Sequence, residues 1–153
     1  MTSIAAPYRD VTAADVMTSP VVTVPDSGTI WDAWSVLINC HVRHAVVVSG
    51  ERCIGIVDDR VLIQAWQRGP SALRSTPIRA LLHDRTSCVL PDSPLAHVAT
   101  LMNTERLGAV PVVDDGGRLL GLITTSDILH AIARYGLRCE NASAETVAAG
   151  STR

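Results

Sequence analysis

The segment Gly121–Asp127 carries the residue types best suited to hold a ligand, because a strand there turns directly into a helix. Helix N-termini present free N–H groups and partial positive charge, which attract phosphate. Thr124 ends the strand with a hydroxyl that can bond a phosphate. Asp127, just inside the helix, can accept hydrogen bonds from the cis hydroxyls of a ribose. Gly121, which permits close backbone approach, and Ile123 complete this half of a predicted sugar-phosphate site.

A second interpretation of the same residues stays open. Thr125 or Ser126 can cap the helix, and Asp127 can simply complement the helix dipole. Both interpretations fit the spacing.

The chain repeats one plan, in Asp15–Trp66 and again in Leu81–Ile132. The clearest match is Val24–Ser27 (VPDS) with Leu90–Ser93 (LPDS), at a shift of 66 residues. Two copies are too few for a solenoid. Two copies packed face to face as a pseudo-dimer form the natural closed arrangement.

Each copy follows the order strand, helix, strand, strand, helix. In the first copy, the pattern predicts strands over 21–24, 44–48 and 53–57, a helix capped at Asp26–Ser27, and a helix from Asp59 to Gly69. In the second copy, it predicts a helix after Ser93–Pro94, strands over 110–113 and 119–123, and a helix over Ser126–Tyr135. Thr12 and Thr76 are predicted to cap short leading helices. The small polar residues over 137–153 predict a flexible tail.

Three segments in this order, with the duplication, resemble a CBS domain pair, or Bateman module: Asp15–Thr18, Gly108–Asp114 and Gly121–Asp127. The resemblance covers about residues 12–135. It implies a mixed α+β (α/β) fold of two tandem β-α-β-β-α motifs packed as a pseudo-two-fold pair. The expected motif bounds are 12–70 and 76–136.

In CBS pairs the residues that match Thr124 and Asp127 usually contact phosphate and ribose, so the resemblance implies an AMP, ADP or ATP ligand. The adenine is then expected in an apolar slot from the first copy, formed by Val21, Val22, Thr23, Val42, Arg43 and His44. Arg43 or His44 can serve as a phosphate donor. The alternatives are a solvated charge for Arg43 and a plain core role for Val21 and Val22.

The first copy departs from the pattern, because Asp58 stands where the second copy has Thr124 and Val61 where it has Asp127. A carboxylate at the phosphate position repels an anion, and valine cannot hold a ribose. One competent nucleotide site is therefore expected. The altered cleft leaves room for an uncharged or cationic adenosyl ligand such as S-adenosylmethionine.

These features predict a regulatory sensor rather than an enzyme, since the sequence shows no nucleophile positioned beside a base. A ligand-free dimerisation or partner-binding scaffold is the alternative, and a nucleotide-processing enzyme is the least favoured. No metal is expected, because His41 and His44 straddle a helix–strand junction without a third ligand at sensible spacing.

The composition limits the partners. The formal net charge is -2, without a basic run, which argues against nucleic acid. No apolar run approaches the ~20 residues that span a bilayer, and no signal peptide is visible, so the prediction is a cytoplasmic protein with no membrane partner. The scattered cysteines are expected to be small buried hydrophobes.

Trp31 and Trp34 lie three residues apart on the first predicted long helix. Large aromatic side chains on an outer helix often mark an interface, and CBS pairs commonly self-associate through these helices. A homodimer is therefore predicted. The alternative is that both indoles are buried in the core of the monomer.

Overall fold

The computed structural model describes residues 11–136, which form a mixed α+β fold of two tandem motifs. The predicted tail over 137–153 lies outside the described residues. Within 11–136, no helix has the length and apolar character needed to cross a membrane.

The first motif is a three-stranded sheet with helices against it. It follows α1 (Ala13–Val16) and contains β1 (Thr23–Pro25), α2 (Ile30–Cys40), β2 (His44–Ser49), β3 (Arg52–Asp58) and α3 (Asp59–Trp66). Strand β1 runs parallel to β2, and β2 antiparallel to β3. The apolar side chains of α2 and α3 recur at helical spacing, so Ile30, Leu37 and Leu62 are buried against the sheet.

The second motif repeats this plan with a shorter sheet. Its elements, after a linker with α4 (Pro70–Ser75) and a 3₁₀ turn (Ile78–Leu81), are α5 (Leu95–Glu105), β4 (Ala109–Val113), β5 (Leu119–Thr124) and α6 (Thr125–Tyr135). The strand expected before α5 is reduced to one parallel bridge between Val89 and Val112.

The two motifs join at equivalent residues. Arg52 at the start of β3 forms an antiparallel bridge with Arg118, which lies 66 positions later. The Leu119 N–H donates to the Glu51 carbonyl at 2.9 Å, and the Cys53 N–H donates to the Gly117 carbonyl at 3.0 Å. Because this pair of bonds is reciprocal, a pseudo-two-fold axis passes through the bridge.

Each motif fills part of its core with a residue from the segment that leads into the other motif. Ala13 of α1 is fully buried in the core of the second motif, and Ile78 of the linker is fully buried in the core of the first. A Cβ added at Gly121 would lie 2.4 Å from the Met17 Sδ, so only glycine permits this approach. The exchange ties the motifs together through side chains remote in sequence.

The helix caps differ in part from those predicted. Thr12 caps α1 as predicted, but Thr29, and not Asp26–Ser27, caps α2. The Asp32 carboxylate accepts a hydrogen bond from the Thr29 N–H, the Asp32 N–H donates to the Thr29 hydroxyl, and this reciprocal capping box fixes where the helix begins.

Two further predicted caps serve other purposes. The Ser93 hydroxyl accepts a hydrogen bond from the Leu90 N–H at 3.1 Å, which leaves Pro94 at the N-cap of α5. Thr76 ends α4, and Pro77 precedes the 3₁₀ turn. Serine and threonine close turns as readily as they cap helices, so the pattern alone misassigned both residues.

Candidate functional site

The turn from β5 into α6 is organised by Thr124 and Asp127. Thr124 is the N-cap, and its backbone N–H and hydroxyl both donate to the Asp127 Oδ2, at 2.7 and 2.8 Å. In return the Asp127 N–H donates to the Thr124 hydroxyl at 3.4 Å. The cap is therefore Thr124, whereas the purely structural interpretation named Thr125 or Ser126, and α6 begins one residue earlier than predicted.

The second carboxylate oxygen of Asp127 faces the segment before the first motif. The Thr18 hydroxyl donates to the Asp127 Oδ1 at 3.3 Å. Thr18 is held there by two backbone hydrogen bonds with Leu122, of 2.9 and 3.1 Å. The Thr18 bond to Oδ1 is long, so a ligand hydroxyl can compete for this oxygen more easily than for Oδ2.

A cavity of about 310 Å³ opens beside this carboxylate. We call it the Thr124 cleft; it is lined by Thr18, Pro20, Val21, Val22, Val42, Arg43, His44, Gly108, Leu122, Thr124, Thr125, Ser126 and Asp127. One wall is the polar N-terminus of α6, and the opposite wall is apolar. Its volume lies at the lower end of the roughly 300–1,000 Å³ typical of small-molecule sites.

Most of the predicted nucleotide-binding residues meet in this cleft. The seven that line it are Val21, Val22, Val42, Arg43, His44, Thr124 and Asp127. Thr23, Gly121 and Ile123 do not line it. Successive side chains of a strand point to opposite faces, so Leu122 reaches the cleft while Ile123 is fully buried in the core. Gly121 packs against Met17, and Thr23 is exposed on β1.

Arg43 already has a partner. Its Nε donates to the Asp59 Oδ2 at 3.1 Å, and its side chain is 75% exposed. An exposed ion pair of this kind contributes little to stability and exchanges easily. Arg43 therefore lies at the rim of the cleft, with its charge directed towards α3.

The imidazole of His44 separates two cavities. It lines the Thr124 cleft and also a second cavity on the other side of the pseudo-two-fold axis. A Cβ added at Gly108 would lie 2.8 Å from the His44 Nε2, so a side chain at position 108 would displace the ring. Burial lowers the pKa of His44, against the raising influence of Asp58 and Asp59, which makes the neutral ring the dominant form at pH 7. The neutral ring keeps one N–H donor, and the role of His44 as a phosphate donor stays a prediction.

The lowered pKa of His44 predicts a loss of stability in acid. The unfolded state, where the pKa is about 6.5, binds a proton more readily than the folded state. The free energy of unfolding therefore keeps its full value above that pH and decreases as the pH falls below it. We expect the urea midpoint to fall less between pH 8 and about pH 5 in His44→Gln than in the wild type. His97→Gln, at an exposed position, is the control and is expected to follow the wild type. An equal fall in all three proteins would contradict the burial argument.

Several lining residues escape a sequence-based prediction. Thr18, Pro20 and Leu122 come together because residue 18 bridges β5, a pairing over more than a hundred positions. Thr125 also lines the cleft, and its N–H donates to the Gly108 carbonyl at 3.1 Å. The available signal was Thr18 itself, which ends the first of the three segments that carry the family resemblance.

The second cavity, of about 300 Å³, surrounds Asp58, and we call it the Asp58 cleft. Asp58 caps α3 as Thr124 caps α6, and its Oδ1 accepts from the Val61 N–H at 2.8 Å. The further lining residues are His44, Gly55, Ile56, Val61, Leu81, His83, Arg85, Thr86, Ser87, Glu105, Arg106, Leu107, Gly108 and Ala109. Thr86 and Ser87 stand here where the Thr124 cleft has Pro20 and Val21, and charged residues of both signs line the opening.

Among residues 11–136, no group of three or more histidine, cysteine, aspartate or glutamate side chains is arranged to hold a metal ion. His41 is exposed at the C-cap of α2, whereas His44 is half-buried and lines both clefts.

The family model for the CBS domain matches the chain twice, over residues 13–68 and 78–134. The chain belongs to the CBS domain family. The repeat, the order of the elements and the placement of both clefts at the joint between the CBS motifs all agree with this assignment.

Individual curated proteins and solved structures are similar over most of this chain. An A-adding tRNA nucleotidyltransferase from Geobacter sulfurreducens is 35% identical over 119 residues, which is 78% of this chain and 13% of that protein. The crystal structure of the cytosolic domain of the Mg²⁺ channel MgtE in complex with ATP has a TM-score of 0.67 and 27% identity, with 80% of this chain and 48% of that chain covered.

The CBS domain protein PAE2072 from Pyrobaculum aerophilum, complexed with AMP, matches with a TM-score of 0.73 and 23% identity. That match covers 82% of this chain and 98% of the other, and it shows the shared fold. By contrast, the chain spans 13% and 24% of the length of the first curated relatives it matches, which are enzymes.

Proposed function

We propose that the CBS pair is a regulatory module that binds an adenine nucleotide in the Thr124 cleft and signals through the relative packing of its motifs. The observation that carries the proposal is the position of Asp127 between the α6 N-terminus and the apolar wall of the first motif. The two walls of the cleft come from different motifs, so a ligand in the cleft contacts both motifs. A ligand that prefers one packing shifts the population towards it.

The polarity of the cleft supports this ligand class. Val21, Val22 and Val42 offer an apolar slot for a planar base. The Asp127 Oδ1 is placed to accept from a ribose hydroxyl, and the N-terminus of α6, an eleven-residue helix, favours an anionic group. The MgtE domain, which holds ATP, and PAE2072, which holds AMP, share this fold.

The Asp58 cleft is not part of this nucleotide site in our proposal. Asp58 brings negative charge to the phosphate position, and the polar Thr86 and Ser87 stand where the Thr124 cleft has Pro20 and Val21. S-adenosylmethionine remains a useful second probe, because its positive charge is compatible with Asp58.

A ligand-free scaffold is the second candidate function, and one observation favours it. Both carboxylate oxygens of Asp127 already accept hydrogen bonds, from Thr124 and Thr18, and Arg43 is paired with Asp59. In this role the same contacts would only hold the two motifs together. The two functions differ in their response to nucleotide.

Thermal unfolding with AMP, ATP and S-adenosylmethionine tests the proposal. Ligand present at about a hundred times its dissociation constant stabilises the folded state by about 2.7 kcal/mol, which corresponds to a rise in Tm of roughly 5–10 °C for a chain of this size. We expect AMP to give this rise, with a dissociation constant between roughly micromolar and millimolar. No rise with any of the three at saturating concentration would favour the scaffold.

We also propose a regulatory rather than catalytic role, carried out in the cytoplasm, where free adenine nucleotides are available. The curated relatives that are enzymes are several times longer than the matched region, so most of their length has no counterpart in this chain. The regulated protein is another domain or a separate chain.

The outer helices support a homodimer. Trp31 and Trp34 are both half-buried: the Arg74 guanidinium covers the Trp31 ring at 4.1 Å, and Trp34 packs against Trp66 at 5.6 Å. Trp66 itself is 47% exposed. Ile63 on α3 and Leu129 on α6 occupy equivalent positions 66 residues apart and are 55% and 61% exposed. A surface repeated about a pseudo-two-fold axis suits a second copy of the chain.

Sedimentation equilibrium tests the dimer. We expect a mass twice that of the chain, and a monomer for Ile63→Glu, because a charge at an apolar interface is costly to desolvate. Glu105→Gln, at an exposed position on α5, is the control and is expected to remain a dimer. A monomeric wild type would overturn the proposal.

A further inference from the structure

Two cysteines that the nucleotide site does not use lie side by side. Cys53, on β3, and Cys88, in the segment before α5, are both half-buried, and their thiols interact closely enough for each to shift the pKa of the other. Two hydrogen bonds hold the segment of Cys88 beside β3. The Thr86 hydroxyl donates to the Ile54 carbonyl at 3.3 Å, and the Cys88 thiol donates to the Thr86 carbonyl at 3.7 Å. The segment 86–88 is therefore fastened along β3.

The two thiols belong to different CBS motifs. Cys53 is within the sheet of the first motif. Cys88 precedes Val89, whose N–H donates to the Pro111 carbonyl at 3.0 Å and whose carbonyl accepts from the Val113 N–H at 2.9 Å, both on β4. A covalent bond between the sulfurs would therefore connect the two motifs and close a loop of about 35 residues.

The pair is also polarised. The interaction with Cys53 lowers the pKa of Cys88, whereas the same interaction, together with burial, raises the pKa of Cys53. The attacking species in disulfide exchange is the thiolate. Cys88 is therefore suited to react first, and Cys53 is held beside it as the second thiol.

We propose that Cys53 and Cys88 form a reversible disulfide that covalently locks the two CBS motifs to each other. The oxidant is a low-molecular-weight disulfide, RSSR. The Cys88 thiolate attacks one sulfur of RSSR, which forms a mixed disulfide and releases RS⁻. Cys53 then loses its proton and attacks the Cys88 sulfur, which releases the second RS⁻. In total, two protein thiols and one RSSR give one protein disulfide and two RSH.

Peptide mapping of the full chain can identify the bond. The chain contains no lysine, and trypsin, which then cleaves after arginine, places its four cysteines on separate peptides: Cys40 on 10–43, Cys53 on 53–60, Cys88 on 86–106 and Cys139 on 139–153. After treatment with oxidised glutathione and blocking of free thiols, we expect peptides 53–60 and 86–106 to be joined, and to separate on reduction. Persistence of both as free thiols, or pairing of either with another cysteine, would overturn the proposal.

Thermal unfolding tests the lock itself and needs no nucleotide, so the result is independent of the proposed ligand site. A cross-link constrains the unfolded chain, so oxidation is expected to raise the Tm of the wild type by several degrees, reversibly with reductant. Cys53→Ser and Cys88→Ser are expected to lose this rise. Cys40→Ser, at an exposed position outside the pair, is the control and is expected to keep it. A joined peptide pair without any rise in Tm would overturn the locking role.

Discussion

Alanine in place of Asp127 is expected to lower the affinity for AMP by roughly 10- to 100-fold, because a hydrogen bond to a charged group contributes about 1.5–3 kcal/mol. The change removes the carboxylate that faces the Thr124 cleft and leaves the apolar wall intact. Isothermal titration of AMP into both proteins measures the difference.

The control for this variant is built into the chain. The Asp32 carboxylate accepts from the Thr29 N–H at 2.7 Å and from the Thr29 hydroxyl at 2.8 Å, the same distances as in the Thr124–Asp127 box. Asp32→Ala therefore removes an equivalent cap, at about 1 kcal/mol of stability, far from the cleft. We expect it to bind AMP as the wild type does. Equal affinity in Asp127→Ala and Asp32→Ala would reject the Thr124 cleft as the binding site.

The two interpretations offered for Asp127 in the sequence prove to be partly compatible. Its Oδ2 belongs to a capping box, which is a structural role, while its Oδ1 is directed across the joint between motifs to Thr18. This division arises because Thr124 caps the helix and α6 begins at Thr125, which puts Asp127 at the third helical position. Residue types and spacing identified the residue, but only the position of the cap shows which oxygen belongs to the capping box and which faces Thr18.

The repeat explains why the fold was predictable. The repeated order of elements predicted the strand-to-helix turn of each motif, the family resemblance implied the mixed α+β fold, and the family match confirms both motifs. The difference between Asp58 and Thr124 was likewise visible, because the alignment of the copies places them at the same cap. Local patterns suffice where the determining contacts are local.

What escaped prediction depends on pairing between distant segments. Thr18 reaches the cleft because it bridges Leu122, and no local pattern near residue 18 encodes that register. The Arg43–Asp59 ion pair likewise connects the segment before β2 to the start of α3. Contacts of this kind follow from the tertiary fold and not from propensity, so the detailed lining of the Thr124 cleft required the structure.

The exchange of core residues between motifs leads to a large predicted effect in the linker. Ile78→Ala is expected to lower the free energy of unfolding by about 2–5 kcal/mol, the range measured for buried isoleucine and leucine truncations. Ile78 lies outside the sheet and long helices of either motif, yet it is fully buried among Val24, Ile30 and other core residues of the first. The core residues around Ile78 are held by the sheet, so they can fill the cavity left by the truncated side chain only in part.

Urea unfolding of Ile78→Ala and of Leu90→Ala measures this effect against a matched truncation. Leu90 is also in a connecting segment but is 40% exposed, so its loss is expected to change stability by well under 1 kcal/mol. If the two variants lost similar stability, Ile78 would be a surface linker residue and the motifs would have independent cores. A much larger loss for Ile78→Ala instead means that the linker is part of the first core, so the chain between the motifs cannot move freely when their packing shifts. A ligand signal would then pass through the linker as well as across the cleft.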